Sequence, residues 1–335
     1  MPQYEMPEAD LVRYRSSVQP PDELDDFWER TISQARAMTW PVRMTAVETG
    51  LRLATTYDVT FPGFGGDPIR AWYHRPIHAP ARLPIVVRFQ GYGGGRGAAH
   101  QAGLWVMAGF ACLEVDTRGQ GSAGAPGHTP DPVGSAPAHP GFLTRGILDP
   151  DEYYYRRVFT DAVLAVDCAR SLPGVDSDRV AVAGLSQGGD ISLAVAGLVD
   201  GVTAVMADVP FLSDLPRAAE IAETAPYTEL TNYLKVHRDH ESRVFSTLAY
   251  FDVSVLARTA TAPALFSVAL LDDVCPPSTV YAAYNVYGGP KQFRCYRFNG
   301  HEGGQTFQDT EQLNWMTGVM PSPLEASRDF LLEKT

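Results

Sequence analysis

Arg179-Val180-Ala181-Val182-Ala183-Gly184-Leu185-Ser186-Gln187-Gly188-Gly189-Asp190-Ile191-Ser192-Leu193-Ala194-Val195-Ala196-Gly197-Leu198 decides the reading of this chain. The four residues before Gly184 are apolar and partly β-branched, which predicts a buried strand. The ten after Gly188 are rich in Ala and Leu, which predicts a helix. Between them, Gly184-x-Ser186-x-Gly188 turns the chain from strand to helix. Glycine serves there because the turn is too tight for Cβ atoms near the serine, and the backbone is strained. Such a turn lifts the serine above the sheet and points the helix N-terminus at the reacting oxygen.

A Gly-x-Ser-x-Gly in that context is the nucleophile elbow of the α/β-hydrolase fold. The rest of the chain agrees. Residues 84–89, 109–116, 204–209, 263–271 and 293–298 are short apolar runs, and 153–172 carries Val158, Ala162, Val163, Val166, Ala169 and Leu172 at helical spacing. Near-continuous apolar strands alternating with helices predict a mostly parallel sheet covered on both faces. Residues 51–75 alternate and contain Gly63 and Gly65-Gly66, which predicts antiparallel strands joined by a turn. Pro21-Asp22-Glu23 opens an amphipathic helix over 21–38 carrying Phe27, Trp28 and Ile32. The expected organisation is one α/β-hydrolase domain. It has an N-terminal extension over about residues 1–50, a helical cap or insertion over about 213–255, and a tail over about 319–335. The Gly-, Pro-, Ala- and His-rich stretch 121–150 reads as a functional or interfacial loop rather than a linker.

Composition narrows the function classes. The chain has 335 residues, 45% hydrophobic and 20% charged, as in an ordinary globular protein. A net charge of −12 argues against nucleic acid, anionic membranes and strongly anionic substrates. Cys112, Cys168, Cys275 and Cys295 are widely spaced and read as free, mostly buried thiols. Residues 1–10 lack a basic-then-apolar leader, and no apolar run reaches the ~18 residues of a membrane span. A reduced, cytoplasmic setting is expected, with no cofactor and no metal. His237-Arg238-Asp239-His240-Glu241 has the look of a metal cluster on a helix, but its histidines are three apart and the Glu does not lie between them. A solvated helix face is the expectation.

The catalytic candidates follow from what a serine nucleophile requires. Its hydroxyl needs a base, and in this fold the chain order is Ser, then Asp or Glu, then His. His301 follows the last predicted strand, in the small-residue loop Asn299-Gly300-His301-Glu302-Gly303-Gly304. Asp272 and Asp273 follow the apolar run ending at Leu271; Asp272 is preferred as nearer the sheet rim, and Asp208 is the fallback. An oxyanion hole needs two backbone N–H groups. Gln187 supplies one, and the loop Gln90-Gly91-Tyr92-Gly93-Gly94-Gly95 points to Tyr92 for the other. Phe211, Pro226 and Val274, with Tyr92, are candidate walls of a tight apolar acyl pocket.

Three ordered motifs carry a resemblance: Arg118-Gly119-Gln120, Gly184-x-Ser186-Gln187-Gly188 and His301-Glu302. Together with residues 141–158 and 275–285, they make the chain similar to carbohydrate esterase family seven over about residues 10–318. That family holds acetyl xylan esterases and cephalosporin-C deacetylases. The resemblance implies deacetylation of small acetylated sugars and of cephalosporin C. It implies a Ser186–Asp272–His301 triad, with Tyr92 and Gln187 as oxyanion donors. It also implies a homo-hexamer whose sites open into a central chamber. Arg118, Gln120 and Glu302 read as residues that brace loops around the site, with an Arg118–Glu302 pair as one possibility. Three features depart from the family's pattern: a loop at 121–127 without a bulky aromatic, an extended tail, and Asp190, which puts a negative charge near the helix start. The alternatives are another short-chain carboxylesterase of this fold, a lipid or peptide hydrolase, and a non-catalytic binding protein.

Overall fold

The computed structural model describes residues 5–101, 103–134 and 136–322. Among these, nine strands form one sheet: β1 (Arg43–Val47), β2 (Ala54–Pro62), β3 (Pro68–Pro76), β4 (Leu83–Phe89), β5 (Ala111–Val115), β6 (Val175–Leu185), β7 (Ala204–Asp208), β8 (Ala264–Ala269) and β9 (Lys291–Tyr296). They lie in the order β1-β2-β3-β5-β4-β6-β7-β8-β9. The pairs from β1 to β5 are antiparallel, and every pair from β5 to β9 is parallel. This is the α/β-hydrolase arrangement. β6 is an interior strand, with Val182 between Val87 and Val205.

The apolar strands are explained by what covers each face. Successive strand side chains alternate between faces. Ile85, Val87, Val180 and Val182 join one core with the helices Tyr154–Ser171 and Gln187–Leu198. Val86, Ala181 and Ala183 join a smaller one with Trp105, Phe110, Trp315 and Met316. Both faces are dry, so neither register position of a central strand is polar. Each fully buried Val or Leu stabilises the fold by roughly 1.5–3 kcal/mol relative to exposure.

The predicted N-terminal helix spans Leu24–Ala37 and buries Phe27, Trp28 and Ile32. Trp28 Nε1 donates to the Tyr250 carbonyl at 3.0 Å, docking this helix on the insertion. Between β7 and β8 the insertion forms the helices Leu215–Ile221, Tyr227–Val236, Glu241–Leu248 and Val253–Leu256. The His237–Glu241 segment is not one helix face. It runs from a helix end through a 3-10 turn, Arg238–His240, into the next helix. His237 and His240 stack on each other at 4.9 Å, and the Tyr233 hydroxyl meets His240 Nδ1 at 2.8 Å. Of the expected tail over about 319–335, residues 323–335 lie outside the described residues. A helix not anticipated, Gln305–Val319, precedes them and covers the smaller core. No helix among the described residues is long and apolar enough to cross a membrane.

Candidate active site

Ser186 lies between β6 and the helix Gln187–Leu198, with φ 59° and ψ −120°. A positive φ at a non-glycine residue costs on the order of 1–3 kcal/mol and persists only where neighbours impose it. Those neighbours are present. The Ser186 N–H donates to the Asp208 carbonyl at 2.8 Å, and its own carbonyl accepts from Gly189, Asp190 and Phe211 at 2.9–3.1 Å. The elbow glycines are set by space. A Cβ on Gly184 would lie 2.3 Å from the Gly188 carbonyl carbon, and one on Gly188 would lie 2.3 Å from the Phe89 oxygen.

Two further predicted residues converge on the same edge. Asp272 follows β8 and is fully buried. Its Oδ1 accepts from the Val274 and Cys275 amides at 2.9 and 2.8 Å. His301 follows β9, with Nδ1 2.9 Å from Asp272 Oδ2 and 3.2 Å from Oδ1. The loop is held by the Leu271 amide on the Asn299 carbonyl at 3.0 Å. Glu302 braces it internally, accepting from Asn299 Nδ2 and the Gly300 amide. A Cβ at Gly303 would sit 3.6 Å from Leu185 Cδ1, so this loop rests on the residue preceding Ser186. Of the two other candidate acids, the Asp208 carboxyl is engaged elsewhere, accepting from Gln308 and Gln312, and Asp273 accepts from Thr224 Oγ1 through its backbone carbonyl. Burial pushes Asp208 up to about 7, against the pull of those two amides.

The loop after β4 carries Tyr92. Neither the Tyr92 nor the Gln187 backbone N–H has an acceptor among the described residues. The glycines around Tyr92 are needed for close approach. The Gly121, Ser122 and Ala123 amides all donate to the Gly93 carbonyl, and a Cβ on Gly95 would lie 2.3 Å from Gly127 Cα. Thus residues 91–97 and 119–127 interlock, and the small residues of the second loop permit it. Phe211 is fully buried, with its ring centroid 5.9 Å from Tyr92 and 4.5 Å from Tyr227. Pro226 is buried at the start of the helix Tyr227–Val236, and Val274 is half-buried beside Asp272.

The structure corrects two expectations. Arg118 does not pair with Glu302. It is fully buried and grips Asp161 with two bonds, Nε–Oδ2 at 2.6 Å and Nη2–Oδ1 at 2.7 Å. Asp67 at 3.0 Å and Asp131 at 3.5 Å complete the cluster. The Arg118 loop thus clamps the β2–β3 turn to the helix Tyr154–Ser171, away from the His301 loop. Asp190 is not the ordinary negative charge expected near the helix start. It is fully buried, neither carboxyl oxygen has a hydrogen-bond partner among the described residues, and burial pushes it well above the usual carboxylate range. All four cysteines are free, with Cys295 exposed and the others buried.

Reasoning from sequence missed Asp161, Tyr154, Tyr155 and Glu229. Gln120 and Gln187 bond to each other and to Tyr154 and Tyr155. A signal for Asp161 was there: a charge between Val158 and Ala162 on an otherwise apolar helix face. Glu229 carries no such signal, because an acid in a helix's first turn is ordinary.

A doubly covered, mostly parallel sheet with a serine on a strained strand-to-helix elbow, and an Asp–His pair at neighbouring strand ends, defines an α/β-hydrolase. The chain belongs to the acetyl xylan esterase (AXE1) family, whose model matches residues 1–319. It is similar to the acetyl xylan esterase from Paenibacillus sp. R4, with 35% identity and a TM-score of 0.87 over 94% of this chain and 100% of that one. Acetyl xylan esterase 1 from Thermoanaerobacterium sp. JW/SL YS485 is 33% identical, with a TM-score of 0.86 over 95% of this chain and 100% of that one. Acetyl esterase Axe7A of Xylanibacter ruminicola is 30% identical over 285 residues, 84% of this chain. The chain spans 63% of the length of that curated relative.

Proposed function

We propose that the protein is a serine esterase that hydrolyses acetyl esters of small carbohydrates, acetylated xylo-oligosaccharides among them, and cephalosporin C. The observation that carries this reading is the Asp272–His301 contact at 2.9 Å, on the sheet edge that also bears Ser186. Ser186 Oγ attacks the acetyl carbonyl carbon while His301 accepts its proton. The oxyanion accepts from the Gln187 and Tyr92 amides. The tetrahedral intermediate then expels the sugar oxygen, which takes the proton from His301, leaving an acetyl-enzyme. Water attacks that ester with His301 as base, releasing acetate and restoring Ser186. Asp272 orients the imidazole and stabilises its charged form. Phe211, Pro226 and Val274 wall the acyl pocket.

The names of the related enzymes support acetyl as the acyl group. The family resemblance supports a homo-hexamer with sites facing an inner chamber, which admits small substrates and excludes polymeric xylan. The test is acetate release from acetylated mono- and oligosaccharides beside cephalosporin C, together with a nitrophenyl series from acetate to octanoate. A steep fall after acetate and loss of activity in Ser186→Ala are expected. A flat chain-length profile would sink acetyl selectivity, and an active Ser186→Ala would sink the mechanism.

A further inference from the structure

Glu229 lies in the first turn of the helix Tyr227–Val236, within the insertion. Its carboxylate accepts the Tyr92 hydroxyl at 2.8 Å on Oε1 and 2.9 Å on Oε2, and the Leu143 amide at 3.1 Å. The same phenol oxygen accepts from the Phe142 and Gly141 amides at 2.7 and 3.3 Å. One donor and two acceptor positions are therefore filled, and the hydroxyl is saturated. The ring is held edge-on between Phe142 at 5.6 Å and Phe211 at 5.9 Å. On the far side of residue 92, the Gly93 amide donates to Gln120 Oε1 at 2.7 Å.

We propose that Glu229 is a positioning residue that fixes Tyr92, so that the Tyr92 backbone N–H faces the developing oxyanion. This rests on the esterase reading above. A tyrosine held at its ring, its hydroxyl and its following amide cannot rotate its own peptide. Releasing the hydroxyl leaves residue 92 held by its ring packing and by the backbone bonds at Gln90 and Gly93, and its glycine neighbours offer little resistance to rotation between them. Misplacing a catalytic donor by about 1 Å can cost on the order of 10²-fold in rate. The local charges suit this task. Burial, the Glu229 charge and the hydrogen bond to it push the phenol above its usual range, so it stays a donor. Burial pushes the Glu229 carboxyl above its ordinary value, and the Tyr92 hydroxyl, the Leu143 amide and the Arg145 charge pull it back toward the anion. The insertion is thereby tied to the chemistry and to the 141–143 loop at one point.

The test uses the full chain with nitrophenyl acetate, measuring kcat, KM and thermal unfolding for Glu229→Ala, Glu229→Gln, Tyr92→Phe and the double variant Glu229→Ala/Tyr92→Phe. The expected result is a kcat loss of about 10–100-fold for Glu229→Ala with KM changed less than about threefold. Glu229→Gln, which keeps an acceptor oxygen, recovers most of it. Tyr92→Phe resembles Glu229→Ala, and the double variant is no slower than the worse single one. A Glu229→Ala protein with lowered melting temperature but wild-type kcat would make Glu229 a mere latch and overturn the proposal. So would losses that multiply in the double variant. If Glu229→Ala does not fold, Glu229→Gln and Tyr92→Phe decide: wild-type kcat in both overturns it. Absence of ester hydrolysis by the wild type would overturn the esterase reading, and this proposal with it.

Discussion

Gln120 and Gln187 meet as a reciprocal amide pair, Gln120 Nε2 on Gln187 Oε1 at 2.8 Å and Gln187 Nε2 on Gln120 Oε1 at 3.2 Å. Both side chains are fully buried. Gln120 also holds the Gly93 amide, and Gln187 donates to the Gln90 carbonyl. Two separate sequence motifs are therefore one device that fixes the loop carrying Tyr92 to the elbow carrying Ser186. Gln120→Leu leaves the Gly93 amide and part of the Gln187 carboxamide unpaired. The expected cost is about 1–3 kcal/mol of stability in urea unfolding. A fall in kcat of about tenfold or more accompanies it on nitrophenyl acetate. Unchanged kcat with that stability loss would separate the pair from the chemistry.

The Arg118 cluster predicts a purely structural effect. Arg118→Leu strands the buried carboxylate Asp161, while Asp131 keeps its ion pair with Arg157 at 2.9 Å. Breaking a buried ion pair on one side costs about 3–5 kcal/mol. Chemical denaturation should show that loss, with the kcat of the remaining folded fraction close to wild type.

Asp272→Asn should lower kcat on nitrophenyl acetate by about 10⁴-fold with the fold retained. Asn keeps the shape but offers an NH₂ or a neutral oxygen where His301 now meets a carboxylate at 2.9 Å. A loss below about tenfold would remove Asp272 from the proposed triad.

Asp190 gives a pH prediction with a definite sign. Its folded carboxyl is raised, chiefly by burial. In the interval above the unfolded carboxylate range, the native state therefore binds more protons than the unfolded state. Stability then falls as pH rises toward the folded value. Asp208, raised to about 7, and Asp252, raised to about 6, act in the same direction. Asp190→Ala should be the more stable protein at neutral pH, by about 1–3 kcal/mol. Its advantage should grow as pH rises above the ordinary carboxylate range. Melting curves across that rise check it, and an advantage that shrinks with pH would contradict the assignment.

The central sheet was legible because Val86, Val87, Val182 and Val205 are apolar on both faces, a pattern that only a doubly covered strand needs. β1 was not legible, since Arg43–Val47 is an edge strand with four of its five residues exposed and no side to keep dry. The helix Gln305–Val319 was hidden for a related reason. Among Gln308, Gln312, Trp315 and Met316, the residues it buries, two are glutamines. Those amides serve the Asp208 carboxyl rather than an apolar core. The order of Ser186, Asp272 and His301 could be read from strand ends alone. The partner of Arg118 could not, because it depends on where the β2–β3 turn lies relative to a distant helix.

The backbone of Ser186 has a consequence for how this protein is maintained. At φ 59° it occupies a conformation that glycine adopts freely and serine resists. Ser186→Gly should therefore yield a protein that melts higher than the wild type and accumulates more readily in cells, while hydrolysing nothing. Folding quality control alone would favour that inactive form. The serine persists only where its chemistry is needed, so a copy of the gene released from that need should lose this residue early.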